Sequence, residues 1–234
     1  MIEVGNISKT ISVKPSRPTV KNKKAVGRNY AGQNLQQRKQ QRYQQFLQAG
    51  LNVFGTSGYR SATVRSLCKE AKLTDRYFYE SFGSIENLLT CVYEHCMKNL
   101  KRTILTQIIS VYRSYGAEAA IHTGVDTYFM LLEDAKIAHV CLVELEGISP
   151  KVTALYHSYM NDFARMLVTL GNKAFPHWSL GMDKEQQLIL GISLVGAMRQ
   201  TATNWLINDY QTDRKTLVLV TNKLILSLLT VKNS

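Results

Sequence analysis

The sequence is poor in helix-breaking residues and in cysteines arranged for disulfide bonds. It has only four prolines among 234 residues, so little interrupts the apolar stripes of helical spacing that run through most of it. These stripes predict an all-α fold. The four cysteines fall within helical stripes rather than in a disulfide framework: Cys68, Cys91, Cys96 and Cys141. We therefore expect a protein of the reducing cytoplasm.

Long hydrophobic runs are also missing. The most apolar stretch, residues 217–231, is interrupted by Lys223 and is shorter than a membrane span. The N-terminus lacks the apolar core of a secretory signal peptide. We therefore expect no membrane association.

Signatures of the common enzyme classes are absent as well. There is no glycine-rich phosphate loop, no GxSxG nucleophile elbow and no HExxH zinc motif, and the five histidines are dispersed. Cys91 and His95 share one helical face and could share a metal ion, but zinc sites need more ligands than this pair supplies. We expect no enzymatic activity, no metal and no cofactor, although a catalytic site assembled only in three dimensions stays open.

Residues 61–89 carry three helix signals separated only by tight turns. Each signal follows a residue whose side chain suits a helix N-cap: Thr63, Thr74 and Ser84. The first helix has one apolar stripe, made of Val64, Leu67, Cys68 and Ala71. The second should bury Phe78 and Phe82. Two short helices joined by a tight turn are typical of a helix-turn-helix.

The outward face of the second helix should carry Arg76, Tyr77 and Glu80, whereas a merely solvated face would carry mostly Lys and Glu. Arg can pair with guanine in the major groove, and Tyr hydroxyls can reach phosphates. This composition favours DNA binding. The same pattern also fits an ordinary helical hairpin whose aromatic residues pack on a neighbour.

A set of residues with a recognisable spacing runs through residues 46–89: Ala49-Gly50, Phe54, Gly58-Tyr59, Ala62-Thr63-Val64, Glu70-Ala71, Leu73-Thr74, Tyr77-Phe78-Tyr79, Phe82, Ser84, Glu86 and Leu88-Leu89. In these residues the stretch resembles the DNA-binding domain of the TetR family of bacterial transcriptional regulators. Two positions depart from the family. Lys72 stands where glycine is usual, which predicts a non-glycine residue at positive φ. Ile85 stands where lysine is common, so one phosphate contact is expected to be missing.

The resemblance implies that residues 74–81 enter the major groove of double-stranded DNA at a palindromic operator. We expect Arg76 and Tyr77 to contact base edges, and we expect phosphate contacts from Thr63, Arg65 and Tyr79. Thr74, at the start of the recognition helix, completes the predicted DNA-binding set.

Positive charge is concentrated before this motif. Residues 1–42 carry ten Lys or Arg and one acid, a balance of +9, whereas the remaining 192 residues carry 19 bases and 16 acids, a balance of +3. We predict a basic flexible arm over residues 1–37 that adds phosphate or minor-groove contacts. A solubilising leader without a role would look the same.

We predict a helix-turn-helix domain over residues 38–100, whose first helix runs from Gln37 to Phe54, and a larger ligand-binding and dimerisation domain over 101–234. That domain contains a succession of amphipathic helices, over residues 117–132, 134–146, 149–175, 183–208 and 213–231. The last two are apolar on more than one side, so each must be buried on two sides. Intramolecular burial could supply both, but the resemblance implies a homodimer through these two helices.

Aromatic and sulfur-containing side chains are scattered along the helices after residue 90, and such residues can line an adaptable pocket. Plain core packing would explain any one of them equally well. Because members of the family typically hold an inducer here, the resemblance implies a largely apolar ligand site. We predict that its residues include Tyr93, Met97, Tyr128, Cys141, Tyr156 and Trp205.

The resulting prediction is a ligand-responsive, homodimeric DNA-binding transcriptional regulator, acting as a repressor that a small, largely apolar inducer releases from a palindromic operator. Two alternatives remain open. One is a helical small-molecule carrier or enzyme with a vestigial helix-turn-helix. The other is a nonspecific architectural DNA binder that uses the basic arm.

Overall fold

The computed structural model describes residues 24–145, 147–179 and 181–229. Over these residues it contains eight α-helices and one 3₁₀ turn but no β-strand, which confirms the predicted all-α fold. The helices are α1 (Lys24–Ser57), α2 (Val64–Ala71), α3 (Asp75–Ser81), α4 (Ile85–Leu131), α5 (Ala135–Leu142), α6 (Pro150–Ala174), α7 (Lys184–Ile207) and α8 (Arg214–Leu229). The 3₁₀ turn, Tyr59–Ser61, lies between α1 and α2.

Helix α1 begins at Lys24 rather than at the predicted Gln37. The prediction of a non-helical arm is therefore wrong for residues 24–37, whereas residues 1–23 lie outside the described part of the chain. Gly27 and Gly32 weaken a helix by about 1 kcal/mol each without ending it, and the Gln, Lys and Arg residues around them are good helix formers. The chain divides into two compact units, Met1–Gln40 and Gln41–Ser234.

A small apolar core in the second unit joins α1, α2, α3 and the start of α4. Phe46, Phe54 and Phe78 are fully buried, and Tyr43 stacks on Phe82 with 4.9 Å between ring centroids. Full burial of a side chain such as Phe contributes about 1.5–3 kcal/mol. This core therefore fixes the helix-turn-helix against α1 and α4.

The predicted N-cap residues precede α2, α3 and α4. Thr63 Oγ1 accepts a hydrogen bond from the Ser66 N–H at 3.1 Å, and Ser66 Oγ accepts one in return from the Thr63 N–H at 3.1 Å. Ser84 Oγ accepts from the Asn87 N–H at 3.1 Å. Thr74 occupies the N-cap position of α3 but makes no side-chain capping bond.

The turn between α2 and α3 confirms the prediction for Lys72. This residue adopts the left-handed conformation, with φ 55° and ψ 39°, where the family usually has glycine. The turn is closed by the Leu73 N–H, which donates to Cys68 O at 3.1 Å.

Helix α4 is a hairpin of two arms, residues 85–115 and 117–131. Gly116 separates them with φ 82° and ψ −171°, a conformation that glycine adopts without strain. A Cβ atom on Gly124 would lie 2.8 Å from Ile108 Cδ1, so the arms pack closely. Because both residues are eight positions from Gly116, the arms run antiparallel. The second arm matches the helix predicted over residues 117–132.

Helices α5, α6 and α7 begin next to the first residues of the predicted helical ranges, which act as their N-caps. Amides in the first turns donate to Asp134 Oδ1, Ser149 Oγ and Asp183 Oδ1 at 2.9, 3.3 and 2.8 Å. Gly191 in α7 allows a close approach to α6, because a Cβ atom there would lie 2.9 Å from the carbonyl oxygen of Ala164. None of the helices in the described ranges is long and apolar enough to cross a lipid bilayer.

Candidate DNA-binding surface and ligand cavity

Helix α3 presents polar and aromatic residues to solvent while Phe78 holds it to the core. The Arg76 side chain is 81% exposed and Tyr79 is 57% exposed, whereas Phe78 is fully buried. Helix α3 follows α2 through the tight turn at Lys72, so the pair has the connectivity of a helix-turn-helix. This arrangement leaves α3 free to enter a groove of duplex DNA.

Arg76 is paired with an acidic residue of its own helix. Its Nε donates to Glu80 Oε1 at 2.9 Å, and this hydrogen bond raises the pKa of the Arg76 guanidinium. Exposed ion pairs one helical turn apart contribute little to stability. Arg76 can therefore exchange Glu80 for a base edge or a phosphate when DNA arrives.

Tyr77 is only half exposed because Arg42 covers one face of its ring. The guanidinium carbon of Arg42 lies 4.3 Å from the centroid of the Tyr77 ring, a cation–π contact. The same contact places a cation of α1 on the surface of α3. The outward orientation predicted for this helix is thus complete at Arg76 and Tyr79 and partial at Tyr77.

The other predicted DNA-binding residues, Thr63, Arg65 and Thr74, are all exposed. The Thr63 hydroxyl oxygen is engaged by the capping bond from the Ser66 N–H. The Thr74 hydroxyl makes no capping bond, which leaves it available to a phosphate. The DNA contacts of these residues stay predictions.

A cavity of about 630 Å³ lies among α4, α5, α6, α7 and α8, a volume typical of small-molecule sites. Most of its wall is aliphatic and includes Leu100, Ile104, Ile108, Val125, Met166, Val168, Leu194, Ile225 and Leu229. Its charged lining residues are Lys101, Arg113, Asp162, Arg165, Lys173 and Arg199. Five of these six are cations, so the cavity suits a long apolar ligand that carries an acidic group.

Three of the six predicted ligand residues line this cavity: Met97, Tyr128 and Cys141. Burial raises the pKa of Tyr128, so its phenol stays protonated and can donate a hydrogen bond. The Cys141 thiol hydrogen-bonds with Cys96, and this bond together with burial raises the pKa of Cys141.

Tyr93, Tyr156 and Trp205 do not belong to the cavity wall, and their ligand contacts stay predictions. Trp205 Nε1 donates to Thr212 O at 2.7 Å, so it secures the turn before α8. Tyr93 is fully buried in the core. The Tyr156 ring lies 5.2 Å from the Arg199 guanidinium carbon. Helical spacing identified apolar faces but could not separate the face toward the cavity from faces packed on neighbouring helices.

Helix α5 connects the cavity wall with the helix-turn-helix. Cys141 and Leu142, at its C-terminal end, line the cavity. Just beyond them, a carboxylate oxygen of Glu144 accepts a hydrogen bond from the Tyr59 N–H, in the 3₁₀ turn that leads into α2. The other carboxylate oxygen lies 2.9 Å from His139 Nδ1.

The N-terminal end of α5 has a second connection to the helix-turn-helix. Lys136 Nζ donates to Asn52 Oδ1 at 3.0 Å, and Asn52 Nδ2 donates to Glu70 Oε1 of α2 at 2.7 Å. The residues at the start of α5 and just after its end are therefore hydrogen-bonded to α1 and to the 3₁₀ turn before α2.

Helices α7 and α8 leave an apolar surface uncovered. Its largest residues are Ile189, Ile192, Leu219, Val220 and Leu224, each between 42% and 69% exposed. Gly196 of α7 also faces open space. Large exposed apolar residues concentrated on two helices are typical of an interaction site.

The candidate metal ligands do not converge. Among the residues that the structure describes, no group of three or more His, Cys, Asp or Glu side chains could hold a metal ion. The His95 ring Nε2 lies 3.0 Å from Asn99 Nδ2 instead. Cys91 and Cys96 are free thiols.

Comparison with known proteins supplies independent information. Residues 46–91 match the family model described as bacterial regulatory proteins, tetR family. The chain is 22% identical over 192 residues to the fatty acid metabolism regulator protein of Bacillus subtilis (strain 168). The aligned residues cover 80% of this chain and 93% of that protein.

Solved structures resemble the fold over most of its length. The fatty acid degradation regulator FadR from Bacillus halodurans has a TM-score of 0.66 and 21% identity, covering 82% of this chain and 96% of its own. The transcriptional regulator FadR from Bacillus subtilis, solved in complex with stearoyl-CoA, has a TM-score of 0.65 and 19% identity, covering 80% and 98%. At these identities the likeness establishes the fold.

Proposed function

We propose that this chain, a transcriptional regulator of the TetR family of bacterial regulatory proteins, is a homodimeric repressor whose inducer is a long-chain fatty acyl-CoA. The single observation that carries the proposal is the largely aliphatic cavity of about 630 Å³, whose lining follows α4 from Met97 to Arg113 and includes cations. Stearoyl-CoA, the ligand of one structural neighbour, combines an alkyl chain with phosphates and matches both features.

The cavity chemistry favours an acyl chain over a polar metabolite. Leucine, isoleucine, valine and methionine side chains dominate the wall, and each methylene transferred from water to such a site contributes about 0.8 kcal/mol. A polar metabolite would lose its hydrogen bonds to water and find few partners here. Affinity should therefore rise with chain length.

Ligand binding controls DNA binding through α5 in this proposal. An acyl chain in contact with Cys141 or Leu142 displaces the end of α5. This displacement moves Glu144 and alters its hydrogen bond with the Tyr59 N–H. Ligand and operator favour different positions of α5, so each weakens the binding of the other.

The homodimer forms through the exposed apolar surface of α7 and α8. Burial of Ile189, Leu219 and Val220 in a symmetric interface would give each helix the second apolar contact that its sequence requires. A twofold dimer presents two α3 helices to successive major grooves, about 34 Å apart, which matches a palindromic operator.

The proposal is tested by a gel shift with the DNA that flanks the coding region of this protein. Stearoyl-CoA should abolish the shifted band at concentrations where free CoA and acetyl-CoA leave it intact. A band that persists in saturating stearoyl-CoA would refute the proposed inducer. Absence of any shifted band, together with tight stearoyl-CoA binding, would instead favour a small-molecule carrier with a vestigial helix-turn-helix.

A further inference from the structure

Helix α6 runs parallel to the first arm of α4, and three contacts fix the register between them. Ser149 Oγ donates to Glu86 Oε1 at 2.9 Å, 63 residues apart, and Lys151 Nζ donates to Asn87 Oδ1 at 3.0 Å, 64 residues apart. Further along, Lys101 Nζ lies 3.9 Å from Asp162 Oδ2, a separation of 61 residues. The offset therefore changes little along the pair.

The same register brings two cations to one end of the cavity. An offset of 61 to 64 residues sets Lys173 level with residues 109–112, within one helical turn of Arg113 along α4. Both side chains are exposed and both residues line the cavity. This end lies close to Gly116, the tip of the α4 hairpin.

The two cations at this end have no acidic partner within the described part of the chain. Two other cations of the lining, Lys101 and Arg165, both lie near Asp162, at 3.9 and 3.1 Å. Arg113 and Lys173 thus form a local surplus of positive charge, whereas the pair around Asp162 is partly neutralised.

The opposite end of the cavity suits an alkyl chain. Met97 and Arg113 are sixteen positions apart on α4, and both line the cavity, so the cavity extends about 24 Å along the helix. The cation at the Met97 end, Arg199, is engaged by the protein, because its Nη2 donates to Leu142 O at 2.7 Å. A multiply charged headgroup cannot be buried there without a large desolvation penalty.

We infer that the cavity binds its ligand in one orientation, with the phosphate-bearing headgroup between Arg113 and Lys173 and the end of the alkyl chain against Met97 and Cys141. This inference rests on the proposed function and adds the headgroup site. Guanidinium and ammonium groups at the solvent boundary bind phosphate through charge-assisted hydrogen bonds. The orientation delivers the chain end to the part of the wall formed by α5.

A length dependence follows from this orientation. With the headgroup held at Arg113 and Lys173, an acyl chain must exceed a minimum length to reach Cys141 and Leu142 at the end of α5. A short acyl-CoA keeps its headgroup contacts but leaves α5 undisturbed. Release of DNA therefore requires a longer chain than binding does.

The test compares stearoyl-CoA with stearoyl-pantetheine, which has the same thioester but no phosphate, and with stearoyl lysophosphatidate, which carries one phosphate on a different headgroup. Their affinities are measured by calorimetry for the full chain and for the double variant Arg113→Ala/Lys173→Ala. The matched control is Arg102→Ala/Lys184→Ala, which removes two exposed cations outside the cavity lining.

The double variant should bind stearoyl-CoA about tenfold more weakly, because the charge-assisted contacts to phosphate are lost. It should bind stearoyl-pantetheine, which has no phosphate, with unchanged affinity. For stearoyl lysophosphatidate, the double variant should lose less affinity than for stearoyl-CoA, because only one phosphate is bound. This difference distinguishes a site for a coenzyme headgroup from a site for a lipid headgroup. The control should match the wild type. Unchanged stearoyl-CoA binding by the double variant, or a larger loss from Lys101→Ala/Arg165→Ala, would overturn the inference while the proposed function stands. A wild-type protein that binds no stearoyl compound would overturn both.

Discussion

Glu144 and Tyr59 are 85 residues apart in the sequence, yet the Glu144 carboxylate accepts a hydrogen bond from the Tyr59 N–H. The Glu144 side chain is only 9% exposed, so water screens this bond little. Gly58, just before Tyr59, has a φ of 78°, and a Cβ atom there would lie 3.3 Å from Glu144 Oε1. In our account this contact ties the end of α5 to the start of the helix-turn-helix.

Replacement of Glu144 by alanine should both destabilise the protein and weaken the response to ligand. The lost carboxylate leaves the Tyr59 N–H without its partner, which costs about 1–3 kcal/mol in the free energy of unfolding. Stearoyl-CoA should still bind the variant but release less DNA. Urea unfolding and operator binding with ligand measure the two effects, and Glu118→Ala, at an exposed position, is the control. If DNA release remained at the wild-type level, α5 would not carry the signal through Glu144.

Arg76 and Glu80 should affect DNA binding in opposite directions. Arg76→Ala should weaken operator binding by about 1–3 kcal/mol and reduce the preference for operator over random DNA, because a base contact is lost. Glu80→Gln should strengthen binding, since it removes an anion from the DNA-facing surface and frees the Arg76 guanidinium. Fluorescence anisotropy with operator and scrambled duplexes measures both. Equal weakening of the two duplexes by Arg76→Ala would assign this residue to phosphate.

Substitutions at Lys72 and Gly83 should change the free energy of unfolding in opposite directions. Both have positive φ, 55° at Lys72 and 72° at Gly83. Lys72→Gly removes the strain of a left-handed backbone conformation from the folded state, which is about 1–2 kcal/mol. Glycine also makes the unfolded chain more flexible, which lowers stability by about 0.4–1 kcal/mol. The free energy of unfolding should therefore rise slightly. Gly83→Ala should lower it, because alanine is strained there. Chemical denaturation of both variants is the measurement, and a less stable Lys72→Gly variant would contradict the prediction.

The apolar surface of α7 and α8 should be required for self-association. Val220→Glu/Leu224→Glu places two charges on this surface and should shift the protein from dimer to monomer, because buried unpaired charges are costly. Operator binding should fall with it. Sedimentation velocity measures the mass, with Lys184→Glu as a charge-changing control at an exposed polar position. If the variant remained dimeric, the dimer interface would lie on another surface of the protein.

The helix-turn-helix could be predicted closely because its signals are local. Thr63 and Ser84 cap the helices that follow them, Phe78 and Phe82 are buried, and Lys72 adopts the predicted positive φ. Each of these depends on a few neighbouring residues. The start of α1 was missed because Gly27 and Gly32 weaken a helix without ending it.

The ligand cavity could be predicted only in part because its position depends on distant packing. Met97, Tyr128 and Cys141 line it, whereas Trp205 secures a turn. Aliphatic residues such as Ile104 and Ile108 have the same helical spacing whether they face a core or a cavity. The headgroup site inferred at Lys173 and Arg113 depends on the register of α6 against α4, which no sequence pattern near either residue reveals.

The most direct test of the coupling between cavity and helix-turn-helix is the affinity for stearoyl-CoA, measured for the free protein and again with saturating operator DNA. Because coupling between two sites is reciprocal, operator should weaken stearoyl-CoA binding by the same factor by which stearoyl-CoA weakens operator binding. Equal stearoyl-CoA affinities in the two conditions would contradict the account.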